Sequence, residues 1–290
     1  MALRVYNNIF SVNAQRNLGV NNSSLGISLE RLSSGLRINR GADDAAGLAI
    51  SEALRADIRS LNQALRNAND GISMINTAEG ALSEQASILV RMRELAAQAA
   101  TGTVGSLERQ TINREFTALR SEIDRISSVA EFNGQKLVNG ALANDAATLT
   151  RIGSQSVVVQ IGMQSTINDR ISLNVAVNLT AIDSTGLNIT NISVDFVGSA
   201  LNALSRLDSA LSTVTEGRGK LGAVQNRLIH TINNLSVSAE NLQAAESQIR
   251  DADYSLEISQ FTRNQILVQA ATAILAQANL VPQTVLQLLG

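Results

Sequence analysis

Apolar side chains recur every seven residues along most of both ends of this chain, a spacing that admits long paired helices and little else. Towards the C-terminus Leu207, Val214, Leu221, Leu228, Leu235, Leu242, Ile249 and Leu256 form one such row, with Leu204, Leu211 and Ile232 on the adjoining one. The row predicts a long helix seam, eased between Gly217 and Gly222. On the N-terminal side the matching row is Leu54, Leu61, Ala68, Ile75, Leu82, Leu89 and Ala96, flanked by Ile58, Leu65, Ile72 and Ala86, with Asp43 or Asp44 placed to cap its start. After the turn-like TGTVGS, the four-and-three steps of Ile112, Phe116, Leu119, Ile123 and Ile126 predict a further helix that ends before the loop at Asn133 and Gly134. The extreme ends repeat the pattern, in Leu25, Leu29, Leu32 and Leu36, and in Leu267, Ala271, Ile274, Ala278, Val281, Val285 and Leu288. Pro282 falls inside the last of these and is expected to end or kink that helix near Val281.

Composition supports helix seams over a compact aromatic core, because only 2% of residues are aromatic, there is no Trp, and a single Pro interrupts 290 residues. Between about residues 140 and 199 the texture changes to Thr, Ser, Asn and β-branched residues, as in SVVVQIG, RISLNVAV and ISVDFVG. The expected fold is mainly α. Long coiled-coil helices from both termini pack together, with a small β-hairpin region at about 140–199.

The chemistry of ordinary enzymes is missing. An acid and base, or an activated nucleophile, must converge in a pocket. The one histidine, His230, sits beside Leu228 and Ile232 in the pattern of a solvated helix position, and there is no cysteine. The chain is read as a non-enzyme without cofactors. Asp43 and Asp44 are adjacent carboxylates, but adjacent side chains diverge and no further ligands cluster there, so capping is the better reading and no metal is assigned. The DADY segment around Asp251 lacks the Gly and distant Glu of a calcium loop. Asn-x-Ser/Thr triplets at Asn178, Asn188, Asn191 and Asn234 arise readily by chance in so Asn-rich a chain. The 23 basic and 25 acidic residues nearly cancel, with no basic cluster to hold nucleic acid. No stretch reaches the roughly 18 apolar residues of a membrane helix, and the N-terminus lacks the apolar core of a signal peptide. Neither nucleic-acid binding nor membrane insertion is expected, and export would need another route.

Three segments carry a specific resemblance: LERLSSGLRINRGADDAAGLAIS (29–51), NANDGISMINTAEGALSE (67–84), and RDADYSLEISQFTRNQILVQAATAILAQANLVPQTVLQLLG (250–290). They closely resemble bacterial flagellin, in order, over roughly the first 140 and last 90 residues. The hook-filament junction proteins share such helical ends more weakly. A secreted helical binding module is the alternative from another class. The resemblance implies an inner terminal coiled-coil domain (1–33 and 250–290), a spoke linker (34–43) and an outer helical domain (44–249). The middle is too short for the outer variable domains of larger members. It further implies type III secretion, extracellular self-assembly into the filament for motility, and contact with an export chaperone and with hook-filament junction and cap proteins. The polymerisation core expected from it comprises Leu25, Leu29, Leu32, Leu36, Leu267, Ile274, Val281 and Leu288. Finally, VRMRELAAQ (90–98) and NREFTAL (113–119) resemble the segments read in the monomer by the animal flagellin-sensing Toll-like receptor, which nominates Arg91, Leu95 and Glu115.

Overall fold

The computed structural model describes residues 8–143 and 157–289, with side chains described to Leu280. It is mainly helical: α1 Ile9–Ser34, α2 Ala45–Ala100, α3 Ser106–Val129, the short α4 Leu173–Val177, α5 Val197–Arg250 and α6 Tyr254–Leu289. Two small antiparallel pairs accompany them, β1 Glu131–Phe132 with β2 Gln135–Lys136, and β3 Val158–Gln160 with β4 Arg170–Ser172. The chain divides into two compact units, residues 1–58 with 240–290, and residues 59–239.

In the first unit α1 packs against α6. The heptad geometry is present, but its seam is not the row of large apolar residues. On α1 the inward stripe runs through Ser11, Ala14, Leu18, Asn21, Leu25, Ser28 and Leu32, and on α6 through Glu257, Phe261, Asn264, Val268, Ala271, Leu275 and Ala278. Each set steps by three and four, as a coiled-coil seam must. Small and polar residues fill much of it. Leu29, Leu267 and Ile274 instead face outward, at 57%, 42% and 60% exposure.

Helix α1 ends where Gly35 takes a left-handed conformation (φ 74°) and donates its N–H to the Arg31 carbonyl at 2.8 Å. Leu36, expected to extend the helical row, lies beyond that end. It bridges to Asp251 in a short antiparallel contact, flanked by bonds from Arg37 N to Arg250 O (2.7 Å) and from Ala252 N to Gly35 O (2.9 Å). The linker is therefore pinned by backbone pairing, and Ile38 is buried at 1% exposure. The two adjacent aspartates divide the capping work. Asp43 accepts from the N–H groups of Asn39 and Arg40 within the linker, while Asp44 accepts from Gly47 N at 2.8 Å and caps α2.

Two expectations about the C-terminal helices need correction. The seven-spaced row from Leu207 does not run unbroken to Leu256, because α5 stops at Arg250 and Asp253 caps a new helix through Ser255 N and Leu256 N. Leu256 is consequently exposed at 58%. Nor does Pro282 end a helix, since α6 continues to Leu289. Proline removes one interior N–H, and the carbonyl left open, that of Ala278, is met by another donor: the Asn8 side chain at 2.8 Å.

In the second unit, α2 and α5 run antiparallel, joined by Gln225 to Asn76 (3.2 Å), Arg218 to Glu79 (3.6 Å) and Arg93 to Asp208 (2.6 Å). Their predicted rows form the core: Leu61, Ala68, Ile75, Leu82, Leu89 and Ala96 face Leu207, Val214, Leu221 and Leu228, all at 2% exposure or less. Helix α3 closes the third side through Phe116 and Ile123, both fully buried. The helix α5 is continuous through Gly217–Gly222, so those glycines do not ease it.

Among its described residues the middle region is less strand-rich than its texture predicts. SVVVQIG and the start of RISLNVAV do pair as a hairpin, but LNVAV turns into α4 and ISVDFVG forms no strand before α5 begins. The Asn133–Gly134 loop is instead the turn of the β1–β2 hairpin, with both residues at positive φ (50° and 78°). Buried Gln85 ties this layer down, donating to the carbonyls of Ile182 (2.9 Å) and Ile123 (3.3 Å).

Candidate interaction surfaces

Two surfaces collect the residues singled out in the sequence, one in each unit. In the first unit the α1–α6 pair hides Ala14, Ser28, Ala271 and Ala278 while Ile9, Phe10, Val12, Val20, Ile27 and Leu29 of α1 lie open. Helix α6 leaves Leu256, Ile258, Ile266, Leu267, Ile274 and Leu280 open likewise. Exposed apolar faces of this kind mark interaction surfaces. Phe10, Ala14, Ile274 and Ala278 line a shallow groove of about 550 Å³ in this face. Of the residues nominated as a polymerisation core, Leu29, Leu267 and Ile274 are on it, and Leu25 and Leu32 are half-buried in the seam beneath. Leu36 belongs to the linker, and the side chains of Val281 and Leu288 lie outside those described.

Polar contacts fasten the same pair. Asn264 donates to Ser28 Oγ at 3.3 Å, Ser11 Oγ donates to Asn279 at 2.7 Å, and Tyr254 OH donates to the Leu32 carbonyl at 3.2 Å. Glu257, at 6% exposure, faces Arg31 at 3.8 Å. Nearby, Glu52 accepts from Arg250 and Arg55, and those two bonds, in that order, hold its carboxyl below the usual range. None of Asn8, Ser11, Glu257 or Arg250 stood out in the sequence, because a polar residue in a seam is recognisable only once its partner from the other end of the chain is known.

In the second unit Arg91 and Glu115 meet across α2 and α3. The guanidinium donates twice to one Glu115 oxygen, at 2.9 and 3.1 Å, and also to Glu94 at 3.0 Å. These bonds, that to Glu115 first, raise the affinity of Arg91 for its proton. The pair is about half exposed (51% and 48%), so solvent screens its attraction and as an isolated ion pair it adds little to stability. Leu95 does not join it on the surface. At 2% exposure it points into the core, because the four-residue step from Arg91 carries it over the edge of the helix towards Met92, Ala96 and Ala99. His230 is exposed. Among the described residues no group of three or more Asp, Glu or His could hold a metal ion, and no described helix is long and apolar enough to cross a membrane.

The bacterial flagellin N-terminal helical region matches residues 5–143, and the bacterial flagellin C-terminal helical region matches residues 204–289. The chain belongs to the bacterial flagellin family. It is 48% identical to the flagellin of Bacillus subtilis (strain 168), over 99% of this chain and 100% of that one. It is 47% identical to the flagellin of Halalkalibacterium halodurans, over 98% and 99% respectively. In fold alone it resembles a putative flagellar hook-associated protein of Vibrio parahaemolyticus, with a TM-score of 0.56 at 16% identity, covering 72% of this chain and 100% of that one. Flagellins are the structural subunits of the flagellar filament, an extracellular homopolymer that serves motility, and this chain is a short member of the family. The open apolar face and the Arg91–Glu115 pair are thus surfaces of a polymer-forming subunit.

Proposed function

We propose that neighbouring copies cover the outward face of the α1–α6 pair when the chain polymerises, with Leu29, Leu267 and Ile274 in that contact and Leu25 and Leu32 holding the pair beneath it. The observation that carries this is the inversion of the seam: small residues are hidden within the pair and large ones are left open. Each such Leu, Ile or Phe buried by a neighbour contributes about 1.5–3 kcal/mol, which favours assembly. Leu36, Val281 and Leu288 enter the same proposal by the resemblance. Ile274→Asp would place a carboxylate in the contact. We expect it to abolish filaments in electron micrographs while residues 59–239 stay folded by circular dichroism, and filaments of ordinary length would refute the assignment. Deleting residues 278–290 should act likewise, and should also weaken binding of the export chaperone that holds this segment during type III secretion. Hook-filament junction and cap proteins are the proposed partners at the two filament ends, since they would offer surfaces of the same helical kind.

Recognition of the monomer by the animal flagellin-sensing Toll-like receptor is the second element. Its support is the Arg91–Glu115 pair, two guanidinium N–H groups meeting one carboxylate oxygen on an exposed helical face. Leu95, being buried, would act only by fixing the backbone under Arg91. Arg91→Ala and Glu115→Ala monomers, matched to the parent in helicity, should each signal less in a receptor reporter assay. Unchanged signalling removes the proposal and leaves the filament assignment standing.

A further inference from the structure

Two buried polar side chains in the core of the second unit approach one backbone carbonyl from different helices. Gln85 of α2 is fully buried, and Ser127 of α3 is 2% exposed. Gln85 Nε2 uses both of its N–H groups, on the Ile182 carbonyl at 2.9 Å and on the Ile123 carbonyl at 3.3 Å. Those two acceptors fix which way the carboxamide points, since the reversed orientation would set Oε1 against two carbonyl oxygens. Oε1 is thereby left buried without a donor among the described residues.

Ser127 follows Ile123 by one helical turn, so its hydroxyl lies beside the same carbonyl. Elsewhere in α3 the hydroxyls of Thr111, Thr117 and Ser121 each donate back to the carbonyl four residues earlier, at 3.2, 2.8 and 3.1 Å. Ser127 does not, and its Oγ is buried without a partner among the described residues. The carbonyl it would use has no lone pair left. One takes the helical N–H of Ser127 itself, and the other takes Gln85.

The two unpaired atoms are complementary. Gln85 Oε1 accepts and the Ser127 hydroxyl donates, yet they make no direct bond. Each such group left unpaired in a core is costly, and an Ala at position 127 would be a better helix former with no polar atom to desolvate. We infer that an internal water molecule is held between Gln85 and Ser127, donating to Oε1 and accepting from the hydroxyl. Buried waters settle where two or more otherwise unpaired polar groups converge. This one joins three parts of the core, α2 through Gln85, α3 through Ser127 and, by way of the same carboxamide, the segment at Ile182. The inference concerns the interior of residues 59–239 and does not rest on the polymerisation reading.

Ser127→Ala tests this by the sign of its effect on urea unfolding of the full-length monomer, followed by circular dichroism. If the hydroxyl binds nothing, removing it relieves a desolvated group and lowers the unfolding constant. If it anchors the water, removing it strands Gln85 Oε1, and the unfolding constant should rise about fivefold. In a Gln85→Met background the acceptor is gone, and Ser127→Ala should raise the constant less than about twofold or lower it. A fall or no change in the parent background, or an equal rise in both, overturns the inference. A direct bond between the two side chains would give the same coupling, so the water itself is sought in a filament reconstruction of the full chain detailed enough to show ordered solvent. A density peak within hydrogen-bond distance of both Gln85 Oε1 and Ser127 Oγ supports the inference, and side chains bonded directly, or no peak between them, overturns it. Should Gln85→Met fail to fold, Ser127→Ala in the parent and the reconstruction decide the outcome.

Discussion

Three glycines of α5 should respond to the same substitution with opposite signs. Gly217, Gly219 and Gly222 sit within two turns of one continuous helix, and by helix propensity alone each change to Ala stabilises by about 0.8–1 kcal/mol. At Gly219 and Gly222 an added methyl meets nothing within 4 Å. At Gly217 it lies 2.8 Å from Leu179 Cδ1 and 3.7 Å from Leu82 Cδ1, because the segment after α4 seats Leu179 directly against the helix backbone. Forcing a methyl into a packed site costs about 1–3 kcal/mol, so the net effect of Gly217→Ala is a loss of roughly 0–2 kcal/mol. For a unit the size of residues 59–239, each kcal/mol moves the melting temperature by about 2–4 °C. Heat unfolding of the monomer followed by circular dichroism should therefore show Gly219→Ala and Gly222→Ala rising by roughly 2–4 °C and Gly217→Ala unchanged or falling by up to about 8 °C. Adding Leu179→Ala should make Gly217→Ala stabilising relative to that background. If Gly217→Ala alone raises the melting temperature as much as Gly219→Ala does, Leu179 is not packed on α5 and the reasoning fails.

Phe116→Ala removes the largest fully buried side chain of α3 and should cost about 3–5 kcal/mol in urea unfolding, and a loss under about 1 kcal/mol would mean that α3 does not close the core. Asp253→Ala should strip the cap of α6 at a cost of about 1 kcal/mol and speed hydrogen exchange in its first turn, whereas Asp253→Asn should change little. Acid should loosen the linker. The N–H groups of Arg40 and Asn39 hold Asp43 below its ordinary 3.8, and bonds from Arg250 and Arg55 hold Glu52 below 4.5. Both carboxyls are lowered on folding, so their contributions are complete above those ordinary values and are lost as pH falls through the folded ones. Protease cleavage within residues 35–44 should accordingly rise on acidification. Cleavage that stays constant from neutral pH to about pH 3 would contradict this.

The heptad rows were enough to determine that this chain forms long paired helices, since a seven-residue apolar period has no other economical burial. They also located the core of the second unit, where Ile75, Leu82, Leu89, Leu207, Val214 and Leu221 are buried as their spacing predicts. Period identifies a stripe, however, and does not say what the stripe touches. At the chain ends the large apolar stripe of Leu29, Leu267 and Ile274 faces outward, and the seam uses Ser28, Asn264 and Ala271, whose polarity or size disguised them. Arg91 and Glu115 lie 24 positions apart and were paired by resemblance. Their geometry, and the burial of Leu95 beneath them, follow from how α3 lies on α2. Asn8 and Pro282 are the extreme case. The sequence states that Ala278 lacks a helical donor, but a donor from 270 positions away is supplied only when the chain folds back on itself. A missing hydrogen bond is a local fact, and its satisfaction is a tertiary one.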